Sequence, residues 1–193
     1  MRYEIIQPPF TLDFRTMSRQ EAIDYFNWFM EQIPVRIKVL EQAVQSTPGY
    51  KDWKADYTPE SLERLGRWFY EHVETRKRTK EEREEIYSQA PAWFRSVEIQ
   101  DWNLTDRTFS LAMDIGMYLS RVFEKNVPEL KWEMVKKPKN DADFQQPVLF
   151  GSGKLAFNPV WIVVTYAYSL ADNTHGPGRL RELYDIWAKL LVK

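Results

Sequence analysis

Apolar positions along this chain recur at helical spacing in five stretches and alternate or cluster in three short ones. Ala22, Tyr25, Phe26, Phe29, Ile33, Ile37, Leu40 and Val44 trace one face of a long amphipathic helix. Ser18-Arg19-Gln20-Glu21 opens it as a capping box, with Ser18 accepting from the Glu21 amide and the Glu21 carboxylate reaching back. Pro34 lies inside the pattern and predicts a kink or break near Ile33, because it removes a backbone donor. A second helix follows Thr58-Pro59, with Leu62, Leu65, Trp68, Phe69 and Val73 as its stripe. Thr79-Lys80-Glu81-Glu82 is a second capping box and starts a short charged helix that ends before Pro91. Trp93, Phe94, Val97, Ile99 and Trp102 then fall in an irregular aromatic connector.

The stretch 109–167 reads as helix, strand, hairpin, strand, helix. Its first helix is capped by Asn103 or Thr105 and buries Phe109, Ala112, Ile115, Gly116, Leu119, Val122 and Phe123. Ala112, Gly116 and Ser120 form a smooth strip along it that permits close approach of another element. Leu130 to Val135 alternates apolar and polar around Trp132, the pattern of a half-buried strand. A polar loop over 136–146 leads to a second strand at Pro147-Val148-Leu149-Phe150-Gly151. Ser152-Gly153-Lys154 turns into a short third strand at 155–157. Asn158-Pro159 starts a helix that is apolar on most sides, and 179–191 is an amphipathic terminal helix. Residues 3–6 are expected to form a further short strand, stopped by Pro8-Pro9. The expected architecture is helix-rich α+β, with about five or six helices packed on a small antiparallel sheet of about two to four strands. Residues 1–193 read as a single domain, with a helical half over about 18–102 and a helix-sheet-helix half over about 103–193.

Composition narrows the function. Charges nearly cancel, at formal net charge -1, which disfavours a strongly basic nucleic-acid binder. There is no Cys, so disulfides, thiolate nucleophiles and cysteine metal sites are excluded; a cytoplasmic location is expected. The longest apolar run, 160–167, is far below the roughly 20 residues needed to span a bilayer, so no membrane association is expected. Eight Trp and eleven Phe supply large rings for the core.

Recognisable chemistry is sparse. Neither histidine has a second at a metal-ligand spacing, and no metal or cofactor is expected. Gly151-Ser152-Gly153-Lys154 lacks the spacing of a phosphate-binding loop, and Gly176-Pro177-Gly178-Arg179 reads as a turn before a helix. His72 flanks the apolar stripe one turn after Trp68 and reads as a partly buried packing residue before a general base. Asp114 falls with Ser110, Met117 and Arg121, which predicts a solvated helix face with local pairing; the competing reading has Asp114, Tyr118 and Arg121 facing a cleft. The run 74–85 interleaves acidic and basic residues that sum to zero, a solvated connection. The loop carrying Lys136, Lys137 and Lys139, with Phe144 as an exposed anchor, is a candidate partner-binding element, with a mobile insertion as the other reading. Nucleic-acid binding through these lysines would need further basic side chains beside them in space. Tyr50, Trp53 and Tyr57 are read as staples that hold their loop on the core.

Asp114-Ile115-Gly116-Met117-Tyr118-Leu119, Trp132, Pro147-Val148-Leu149 and Asn158-Pro159 together resemble a pattern in small bacterial domains in which a glycine-bearing helix precedes a Trp-containing strand, a second strand and a Pro-started helix. Some domains of this look belong to toxin-immunity or phage-conflict neighbourhoods, and the whole chain also resembles an uncharacterised family from Gram-positive bacteria. The resemblance covers about a third of the chain and transfers no functional residue. The absence of a nucleophile motif, a metal cluster and a nucleotide loop leads to the expectation of a non-enzymatic interaction protein with a protein partner, and the resemblance adds the immunity or regulatory type. The alternative is a ligand-binding domain or enzyme with a pocket between the C-terminal helices and the sheet, using His72, Asp114 and Tyr118.

Overall fold

A computed structural model describes residues 3–91, 94, 97–152 and 155–192. Trp93 of the aromatic connector and Gly153-Lys154 of the expected hairpin turn lie outside the described residues. Among those described, the elements run α1 (Arg19–Gln45), α2 (Ser61–Tyr70), β1 (Thr75–Lys77), α3 (Lys80–Gln89), β2 (Trp102–Leu104), α4 (Asp106–Asn126), β3 (Lys131–Met134), β4 (Pro147–Phe150), β5 (Ala156–Phe157), α5 (Pro159–Ala171) and α6 (Arg179–Leu191). The class is helix-rich α+β.

Local chemistry places most helix starts. Ser18 and Thr79 form complete capping boxes with Glu21 and Glu82, so two donors at each helix end are satisfied by side chains. Thr105, not Asn103, caps α4 by accepting from the Thr108 amide, and Asn158 caps α5 ahead of Pro159. Of the expected kink or break at Pro34, the break does not occur: α1 runs through it from Arg19 to Gln45. Ile33 and Ile37 on either side of it are buried, and their packing outweighs the roughly 3 kcal/mol that an interior proline costs.

Helix α4 is the centre of the molecule, packed against α1 on one side and α5 on the other. Its Leu111, Ile115, Tyr118, Leu119, Val122 and Phe123 are fully buried. Gly116 explains how closely α5 can lie: a β-carbon there would sit 2.8 Å from Val160 Cα and 2.9 Å from the Pro159 carbonyl oxygen. The core cluster continues from Tyr3 through α1, α2 and α4 to Leu191, so both halves of the chain contribute to it. Tyr50 and Trp53 are buried, and the Trp53 indole donates to the Ser61 carbonyl at 3.1 Å, which is the stapling expected of that loop.

The strands form two antiparallel sheets. One is the unforeseen pair β1–β2, with Thr75 opposite Leu104 and Lys77 opposite Trp102. The other has the order β3-β4-β5, leaving β3 and β5 at its edges. Residues 3–6 form no ladder. Side chains fix them instead: Ser110 Oγ accepts from the Ile6 amide at 2.9 Å, and Arg36 donates to the Glu4 carbonyl at 2.6 Å. Among the described residues no helix is long and apolar enough to cross a membrane.

Candidate functional site

Two polar constellations stand out: a buried ion pair in the core and a basic cleft at the surface. The first corrects the reading of Asp114. Its carboxylate is fully buried, as are neighbouring Ser110 and Met117, so this is not a solvated face. Arg36 of α1 donates to it twice, Nε to Oδ1 at 2.9 Å and Nη2 to Oδ2 at 2.7 Å. The Tyr3 hydroxyl donates to Oδ2 as well. Burial pushes the Asp114 carboxyl upward, opposed by the hydrogen bonds and charge of Arg36 and by the Tyr3 hydroxyl. Burial also raises the Tyr3 phenol, and the Asp114 charge beside it adds to the effect. Local pairing does occur at Arg121, which meets Glu124 at 3.0 Å.

Tyr118 lies one turn after Asp114 but serves a different contact. Its hydroxyl is 2.6 Å from Ser61 Oγ and accepts from the Tyr57 amide at 3.2 Å. Burial holds its phenol up to about 12. His72 stacks on Trp68 with ring centroids 4.4 Å apart, and its Nδ1 lies 2.6 Å from the Trp68 carbonyl oxygen. That proximity assigns the proton to Nδ1. His72 lines an open cleft of about 360 Å³ with Tyr3, Trp68 and Arg107. The three expected pocket residues therefore do not converge. Asp114 faces α1, Tyr118 faces α2, and His72 sits at the end of α2. At Gly116, α4 and the start of α5 touch so closely that no β-carbon fits between them. Among the described residues there is also no cluster of three or more His, Cys, Asp or Glu that could hold a metal ion.

The surface constellation gathers the lysines of the 136–146 loop. Arg15, Arg19, Lys136, Lys137 and Lys139 line one cleft of about 470 Å³, with Met17, Met134 and Phe144 as its apolar part. No carboxylate lines it. None of the five cations joins an ion pair among the described residues. Ser18 also lines this cleft, which places it at the positive end of the α1 macrodipole.

Three ties hold the loop in place. Gln145, in a left-handed conformation at φ 62°, donates to the carbonyls of Phe14 at 2.7 Å and Met17 at 3.1 Å. That tie brings the segment before α1, and with it Arg15 and Arg19, against the lysines. The Asn158 amide donates to Asp143 at 2.7 Å and Gln146 at 3.1 Å, joining the loop to the start of α5. Burial raises the Asp143 carboxyl, with the Asn158 hydrogen bond pulling the other way. Phe144 is 6% exposed, so it anchors the loop inward and is not an exposed contact residue. The ring forms part of the cleft wall, and its burial corrects the expectation of an exposed anchor.

The residues missed from sequence are Arg36, Tyr3, Arg15 and Arg19. Arg36 did carry a signal: it occupies the buried face of α1, three residues after Ile33 and four before Leu40. Compared with protein-family models, curated proteins and solved structures, the chain matches none.

Proposed function

We propose that this chain is a non-enzymatic protein-interaction domain, of immunity or regulatory type, and that the basic cleft is its contact surface. One observation carries the reading: five cations converge on a cleft that contains no carboxylate, in a chain whose net charge is -1. Unpaired like charges repel one another, so their concentration on a single surface has no stabilising role within the fold. A partner of opposite charge would relieve that repulsion. Arg36, Asp114, Tyr3 and Tyr118 are each engaged in hydrogen bonds within the fold, which leaves little for catalysis. On this reading the protein works in the cytoplasm, in keeping with its lack of cysteine.

The test is affinity capture from host lysate with the wild-type chain and with the triple variant Lys136→Glu/Lys137→Glu/Lys139→Glu, both checked for native circular dichroism. The wild type should retain a protein that the variant loses. Identical retention by both, or retention of nothing by either, would refute the reading.

A further inference from the structure

Strand β3 ends its sheet, and its outer backbone edge can be assigned. Val135 donates to the Gln146 carbonyl at 3.3 Å and accepts from the Gln145 amide at 2.7 Å, so its polar groups face β4. Successive residues of an antiparallel strand alternate in this respect. Glu133, opposite Val148, therefore also faces β4, while Trp132 and Met134, opposite Leu149 and Pro147, aim their N–H and C=O groups away from the sheet. Pro147 lacks an N–H, which suits the non-hydrogen-bonded position opposite Met134. Outside the ladder, no main-chain hydrogen bond reaches Trp132 or Met134 among the described residues.

This edge opens onto a second cleft, of about 460 Å³, with Ile23 and Phe26 of α1 on one side and Trp132 on the other. Arg19, Met134 and Lys136 line both this cleft and the basic one, so the two are continuous. The Trp132 indole N–H is buried and has no acceptor. A trough with Ile23, Phe26 and Trp132 as its apolar part and Glu133 as its one carboxylate, a free strand edge and a field of five cations thus adjoin one another.

We propose that an extended acidic segment of a protein partner adds to the free edge of β3, with its carboxylates against Arg15, Arg19, Lys136, Lys137 and Lys139. The proposal rests on the reading of the basic cleft as an interaction surface and names the partner's chemistry. Strand addition obtains affinity from backbone hydrogen bonds and specificity from alternate side chains. Four residues of β3 span about 13 Å, enough to pair with a short extended segment. Because side chains alternate along such a segment, acidic residues at every second position would meet the cations while apolar ones enter the trough by Ile23 and Phe26. Charge complementarity alone would also suit nucleic acid. That ligand is disfavoured because the ring beside the lysines, Phe144, is buried, and Trp132 packs edge-on against Phe29 at 5.5 Å, which leaves Phe26 as the one ring at the clefts for a base to stack on.

The experiment titrates the isotope-labelled full chain with a decapeptide alternating Glu and Val, observed by amide NMR. Three controls accompany it: the same peptide with Lys for Glu, the same peptide N-methylated at alternate residues, and a ten-nucleotide oligothymidylate. The acidic peptide should shift the Trp132 and Met134 amides and those at the start of α1. The triple lysine-to-glutamate variant should weaken binding by about tenfold or more. The Lys-containing peptide should not bind, and N-methylation should abolish the Trp132 and Met134 shifts. Equal binding of the N-methylated peptide would overturn strand addition, as would tighter binding of the oligonucleotide. A loop-dependent partner in the capture experiment, without any shift from the acidic peptide, would overturn this proposal and leave the interaction reading standing. Loss of both results would overturn both.

Discussion

The ion pair between Arg36 and Asp114 offers a double-mutant cycle whose outcome follows from burial. Arg36 is 3% exposed and Asp114 is 0% exposed, so neither charge has recourse to solvent. Arg36→Met leaves the carboxylate with only the Tyr3 hydroxyl as partner, and should lower stability by about 3–5 kcal/mol. Asp114→Leu leaves a buried guanidinium that still donates to the Glu4 carbonyl and Ser110, so its loss should fall at the lower end, about 3 kcal/mol. The double variant removes both charges and both desolvation costs. Its remaining defects are the Tyr3 hydroxyl without an acceptor and the Glu4 carbonyl without its Arg36 donor, together worth about 1–3 kcal/mol. The double variant should therefore lie well above the sum of the singles, with a coupling energy of at least about 3 kcal/mol. Urea denaturation followed by circular dichroism measures all four corners, with constant slopes as the check on two-state behaviour. Additive losses would refute the reasoning, since they would mean that each charge is stabilised independently of the other.

Two further substitutions test the packing and the loop. Gly116→Ala should destabilise the chain: helix propensity favours Ala by about 1 kcal/mol, but overpacking against backbone atoms of Pro159 and Val160 costs about 1–3 kcal/mol, and backbone cannot swing aside as a side chain can. A raised melting temperature would contradict the close approach of α4 and α5. Phe144→Ala should cost about 3–5 kcal/mol because the ring is buried. Lys136→Ala and Lys137→Ala, both at exposed positions, should each stay within about 0.5 kcal/mol of the parent. Similar melting temperatures for all three variants would show that Phe144 does not anchor the loop.

What could be read from sequence was what depends on neighbours along the chain. The capping boxes at Ser18 and Thr79 need only three residues, and both formed. The apolar stripe of α4 and the Asn158-Pro159 start of α5 are equally local. Strands β1 and β2 escaped because segments of three residues are too short to show a period, and they are defined only by their pairing, Thr75 with Leu104 and Lys77 with Trp102. Asp114 was misread for the same reason: its helical neighbours suggest a polar face, but the cation that compensates it lies 78 residues earlier in sequence. The lysines of the cleft were legible as a candidate partner-binding loop, since all three lie within four consecutive residues. Arg15 and Arg19 were not, because they join it through Gln145 and Phe14, which are 131 residues apart.

The placement of the cations beside an open strand edge has a consequence for the protein among copies of itself. An unpaired edge is a template that another copy could extend. Here, two copies approaching edge to edge would bring two fields of cations together, with Lys131 of each edge strand adding to them and Glu133 as the one carboxylate of that strand to offset them. Repulsion of this kind reaches roughly 8 Å through physiological salt, beyond the distance at which strands pair. The same charges that admit an acidic strand thus turn away the one strand always present in excess, the protein's own.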